Sequence, residues 1–136
     1  MSQIITDTTT WTLCAGANRN QRRLWIEGRR LADAGWIRGT RFGRTVTDDY
    51  IVLAACTEES FAEFGARSRG TVSGKGSKPV IDLNGKWLTT FLGGSVDHHG
   101  RASGDYAAGV AGTCQRVKIT AGSVYGKKVI VIQRDE

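Results

Sequence analysis

An offset of 57 residues lays Ile26-Glu27-Gly28-Arg29-Arg30-Leu31 over Leu83-Asn84-Gly85-Lys86-Trp87-Leu88: apolar, polar, glycine, basic, variable, leucine in both. Self-similarity at a fixed spacing marks a chain assembled from copies of one unit, and it restricts the fold more than any other feature here. The segments around each match follow one order. In the first unit Thr10-Trp11-Thr12-Leu13-Cys14 alternates as a half-buried strand, Ala15 to Asn20 supply turn formers, and Arg22 to Ile26 return as a second strand. After Gly28, residues 29–34 read as a short helix stopped by Gly35. Residues 41–46, a turn at Thr47-Asp48-Asp49 and residues 50–54 then form a second hairpin.

The second unit repeats this order. Thr71-Val72-Ser73, a Gly/Lys turn over residues 74–78, a strand over 79–83, Gly85, a short helix over 86–92 and closing strands over 114–120 and 128–133 follow one another. The expected units are residues 9–56 and 66–134, joined by an acidic connector at 57–65, with an insertion at about 95–113 in the second. Each has too few short strands to bury its own apolar faces, so the two must pack together. With 136 residues, 40% of them hydrophobic and 24% charged, the chain is expected to fold as one domain. The fold class expected is mainly β with short helices (α+β), a pseudo-dimer whose internal twofold sets the cationic loops of both units side by side on one surface. The state is a monomer with that twofold or a higher homo-oligomer.

Net charge is +6 and unevenly placed. Residues 18–44 hold eight arginines against Glu27 and Asp33, and residues 67–86 hold five basic residues against Asp82. Arginine suits planar, bidentate contacts with phosphate or guanine edges, so a polyanion partner is indicated. The candidate nucleic-acid contacts are Arg19, Arg22, Arg23, Arg29, Arg30, Arg38, Arg41, Lys75, Lys78 and Lys86. Trp25, Trp36 and Trp87 are expected to pack rather than to stack on bases. Asp97-His98-His99 is the one stretch with acid-base potential, but adjacent histidines diverge in most backbones, so no metal site is expected. The glycines of 70–76 precede Pro79 and a strand instead of a helix, which argues against a nucleotide cradle, and no cofactor is expected.

Cys14, Cys56 and Cys114 fit neither a disulfide framework nor paired metal knuckles, and read as small core residues. No apolar run approaches the roughly 20 residues of a membrane-spanning helix. The start of the chain lacks a basic, then apolar leader, so a cytoplasmic location without membrane association is expected.

Pro79-Val80-Ile81-Asp82-Leu83-Asn84-Gly85-Lys86-Trp87-Leu88 resembles the P-x-I-x-L-x-G-x-W-L signature of SymE-like toxins in the AbrB/MazE swapped-hairpin superfamily. Residues 24–40 resemble it more distantly, with Arg30 where the family prefers Trp and Trp36 at an aromatic position. The resemblance implies a barrel of interleaved hairpins whose first hairpin loops and helix starts meet DNA phosphates and the major groove. Carried over by position, these are Arg19, Arg22, Arg23, Lys75 and Lys78 in the loops and Arg29, Arg30 and Lys86 at the helix starts. The function expected is double-stranded DNA binding. Two other readings stay open: a SymE-like endoribonuclease or RNA binder, with His98 or His99 as general base, and a protein-interaction module such as an antitoxin or nuclease inhibitor.

Overall fold

The computed structural model describes residues 5–18, 21–92 and 115–135. Strands dominate: β1 (Thr6–Asn18), β2 (Gln21–Glu27), β3 (Arg41–Val46), β4 (Tyr50–Ala55), β5 (Arg69–Thr71), β6 (Ser73–Lys75), β7 (Lys78–Asn84), β8 (Gln115–Val124) and β9 (Lys127–Arg134). Among the described residues there are three short α-helices, α1 (Arg29–Asp33), α2 (Glu58–Glu63) and α3 (Lys86–Phe91), and one turn of 3-10 helix, Ala66–Ser68. The strands form a single antiparallel sheet in the order β5-β3-β4-β9-β8-β1-β2-β7-β6, curled into a nearly closed barrel.

Closure is made by the chain itself. The two edge strands, β5 and β6, are separated only by Val72, so they are halves of one bent strand that leaves β3 and joins β7. The bend is held by paired hydrogen bonds: the Val72 N–H donates to the Thr40 carbonyl at 2.9 Å, and the Gly39 N–H donates to the Val72 carbonyl at 2.9 Å. On the other side β1 is shared in the same manner, pairing β8 over Thr6–Ala15 and β2 over Gly16–Asn18. A barrel closed this way leaves almost no free edge for another chain to pair with.

The interior follows period-two alternation. Leu24 and Ile26 of β2, Ile51 and Leu53 of β4, Ile81 and Leu83 of β7, Val117 and Ile119 of β8, and Ile130 and Ile132 of β9 all point inward and are buried. Trp36, fully buried, meets Phe42 edge-to-face at 6.0 Å. The helices contribute to the same core. Strands β2 and β7 both end at a glycine with left-handed φ, Gly28 at 102° and Gly85 at 120°, and both turn there into a helix. Helices of five and six residues have no independent stability. Burial of Leu31 on α1, and of Leu88, Thr89 and Phe91 on α3, holds them in place.

Cys14 corrects an expectation. Its neighbours Leu13 and Ala15 face inward while Cys14 faces out, and it is disulfide-bonded. Cys56 is a half-buried free thiol, and Cys114 lies outside the described residues. None of the described helices is long and apolar enough to cross a membrane.

Candidate nucleic-acid interface

The register of β2 on β7 governs where the basic residues go. Arg23 lies opposite Asn84, Trp25 opposite Asp82 and Glu27 opposite Val80. The β1–β2 turn leaves from the Gln21 end of β2, and the β6–β7 turn leaves from the Lys78 end of β7. Because the two strands run antiparallel, the turns emerge at opposite ends of the pair. The expectation that both cationic loops lie side by side is therefore corrected: seven residues of β2 separate them, roughly 20 Å at about 3.3 Å per residue.

Each end instead brings a hairpin and a helix start together, the β6–β7 turn with α1 at one and the Gln21 end of β2 with α3 at the other. At the Lys78 end a cleft of about 600 Å³ is lined by Glu27, Arg29 and Asp33 around α1 and by Ser77 and Lys78 of the β6–β7 turn. Arg29 is almost fully exposed and only loosely tied to Asp33, at 3.8 Å. Lys75 and Lys78 are exposed on the hairpin. At the other end Lys86 opens α3, which packs on β2, and there the Thr89 hydroxyl accepts the Arg22 backbone N–H at 2.9 Å. Arg19 lies outside the described residues, as do Asp97, His98 and His99.

Arg22 is not a surface contact. It shares the inward face of β2 with Leu24 and Ile26, is 2% exposed, and donates from Nη1 to the Ala15 carbonyl at 3.2 Å. A guanidinium so enclosed braces β1 against β2 and cannot reach phosphate, so its expected role is withdrawn. Arg23, on the outward face, is bound bidentately by Asp82, with both N···O distances 2.9 Å, and lies over the Trp25 ring at 4.5 Å. Arg30 is exposed, 5.9 Å over Trp11, and Arg38 is exposed. Arg41 faces Glu58 at 3.6 Å and the Phe61 ring at 5.4 Å.

The tryptophans divide. Trp36 packs as expected and Trp87 is half-buried against the core, whereas Trp25 is 42% exposed on the outer face. Alternation with Leu24 and Ile26 puts Trp25 there, a signal present in the strand itself. Sequence reasoning also passed over Arg44 and Arg69. Arg44 lies over the Trp87 ring at 3.7 Å, with partial burial lowering its pKa, and Arg69 lies over Phe61 at 5.1 Å. Their grouping depends on the pairing of distant strands and leaves no local trace. Among the described residues no three His, Cys, Asp or Glu side chains cluster as metal ligands would.

The Arg23–Asp82 pair has a measurable acid signature. The hydrogen bonds from Arg23 hold the Asp82 carboxyl below its usual pKa, and Asp82 in turn raises that of Arg23. A depressed carboxyl stabilises the fold above its unfolded pKa of about 3.9 and loses that contribution as pH falls through the lower folded value. Urea midpoints at pH 6 and at pH 2.5 are expected to show wild type ahead of Asp82→Asn at pH 6 and the gap narrowing at low pH. Equal gaps at both would remove the ionic contribution. With both groups about one-third exposed, the effect is modest.

No family model, curated protein or solved structure matches this chain.

Proposed function

We propose that this chain binds nucleic acid, double-stranded DNA foremost, by laying the outer face of β2 and β7 across the duplex with a basic end on the backbone at each side. The observation that carries the reading is the β2–β7 register, which sends Arg29, Lys75 and Lys78 to one end and Lys86 with the β1–β2 turn to the other. Their separation of roughly 20 Å exceeds the about 12 Å width of a major groove, so the two ends meet phosphates flanking it. Between them the outer face offers Arg23, Trp25, Asp82 and Asn84.

A duplicated swapped-hairpin origin of the SymE/AbrB kind is part of the proposal. In its support, Trp25 and Asp82, equivalent under the 57-residue offset, are themselves the pair at the middle of the β2–β7 ladder. Gly28 and Gly85 share one backbone conformation at the equivalent strand ends. Counting β5 and β6 as one bent strand, exchanging it with β1, β2 with β7, β3 with β8 and β4 with β9 leaves every neighbour relation in the barrel unchanged.

The test is fluorescence anisotropy with a labelled duplex over a salt series. Four exposed cations at the two ends give an expected log–log slope of about −3.6, at −0.9 per phosphate contact, and Lys75→Gln with Lys78→Gln is expected to reduce it by about 1.8. A salt-independent response removes the proposal. A single-stranded or RNA ligand is the second reading, favoured by the exposed Trp25 indole with Arg23 over it, a surface on which an unpaired base can stack. Tighter binding of the single strand than of the duplex, lost in Trp25→Ala, decides for it.

A further inference from the structure

We infer that the seam of the barrel, where the bent strand crosses from β3 to β7, is a binding cleft for one phosphate group of a nucleic-acid strand. The inference rests on the nucleic-acid reading above and extends it to residues outside both basic ends. The cleft is a product of the topology. Strand β5 accompanies β3 only over Arg41–Gly43, and β6 accompanies β7 only over Lys78–Val80. Beyond those limits the edges of β3 and β7 part, and the gap of about 140 Å³ is lined by Arg44, Ser68, Arg69, Asp82, Asn84 and Trp87. That is well below the roughly 300–1,000 Å³ of a small-molecule pocket, so it fits a group on a larger ligand better than a whole molecule.

The charges specify an anion. Arg44 and Arg69 have no ion-pair partner among the described residues, and Asp82, the one carboxylate lining the cleft, is already neutralised by the bidentate grip of Arg23. Each guanidinium carbon lies over an aromatic ring, Arg44 3.7 Å from the centre of Trp87 and Arg69 5.1 Å from the centre of Phe61. An aromatic ring steadies a guanidinium without supplying a carboxylate to neutralise it, and arginine meets phosphate oxygens bidentately. The Ser68 hydroxyl and the Asn84 amide add neutral hydrogen-bonding groups at the rim.

The experiment uses the whole chain and a labelled DNA duplex of about two helical turns, with anisotropy read from 50 to 200 mM salt. Arg44→Gln/Arg69→Gln is compared with Lys75→Gln/Lys78→Gln, and thermal melts confirm folding. Losing the one phosphate that both guanidiniums hold is expected to lower the salt slope by about 0.9, so that the fourfold salt change costs roughly 3.5-fold less affinity than in wild type. Should loss of the Trp87 stack unfold the double variant, Arg69→Gln alone, on an exposed strand, is expected to lower the slope by roughly half of that, about 0.45. Wild-type affinity and slope in the arginine variants, with loss in the lysine variant, overturn the cleft and leave the nucleic-acid reading intact. Absence of duplex binding by wild type overturns both.

Discussion

Arg22→Glu is expected to destabilise the fold of this protein, not to weaken its grip on a polyanion. A surface arginine reversed in charge changes affinity and leaves the melting temperature nearly unmoved. Arg22 is 2% exposed, flanked on its face of β2 by the interior, with Nη1 bonded to the Ala15 carbonyl at 3.2 Å and its backbone N–H to the Thr89 hydroxyl at 2.9 Å. Glutamate there sets a buried negative charge beside a carbonyl oxygen, and breaking a buried charged network in this way costs about 3–5 kcal/mol. For a domain of this length such a loss lowers the melting temperature by about 10 °C or more. Circular dichroism melts of Arg22→Glu and Arg23→Glu decide the matter: a large shift for the first and a small one for the second is expected. The reverse pattern would return Arg22 to the surface.

The contrast between those neighbours shows where the sequence was legible. Alternation fixed β3 over residues 41–46 and placed β2, β4, β7 and β9 to within a residue or two, because each strand buries one face and a slip of one position inverts it. The short helices were legible from Gly28 and Gly85, whose left-handed φ turns strand into helix. The inward turn of Arg22 was legible too, since it shares parity with Leu24 and Ile26. Expecting arginine to be solvated hid it. Cys14 is the mirror case: its parity opposes that of Trp11, Leu13 and Ala15, so it faces out.

The site was less visible, for a different reason. Antiparallel pairing of β2 with β7 puts the Gln21 end of one strand far from the Lys78 end of the other, while Arg29 and Lys78, distant in sequence, line one cleft. Likewise, Arg44 and Trp87 are 43 positions apart and meet only because the bent strand brings β3 and β7 to one seam. Local patterns encode which face of a strand is buried, and strand register decides which exposed side chains become neighbours.

Val72 carries that seam, and Val72→Asp is expected to open it. The residue is 1% exposed, and it is the only link between the β5 and β6 edges. Its side chain fills the core while its backbone is clamped from both sides by Gly39 and Thr40. Aspartate forfeits about 1.5–3 kcal/mol of apolar burial and adds an unpaired buried charge worth several kcal/mol more. Against a total stability of about 5–15 kcal/mol, that sum suffices to populate a state in which β5 and β6 have left their partners. Val72→Ala keeps the backbone clamp and loses only part of the burial, so it is expected to stay folded. Amide hydrogen exchange separates local opening from global loss. If the seam opens first, protection falls in β3, β5, β6 and β7 while the β1–β8 and β8–β9 ladders, the longest in the barrel, retain theirs. Uniform loss of protection would mean that the barrel has no separable seam, and an unshifted melt for Val72→Asp would mean that Val72 does not close it. The variant also bears on the cleft, because Arg44 and Arg69 are held at one distance only while the bend at Val72 is intact. Duplex binding by a partly opened protein is therefore expected to keep the lysine-dependent part of its salt slope and to lose the arginine-dependent part.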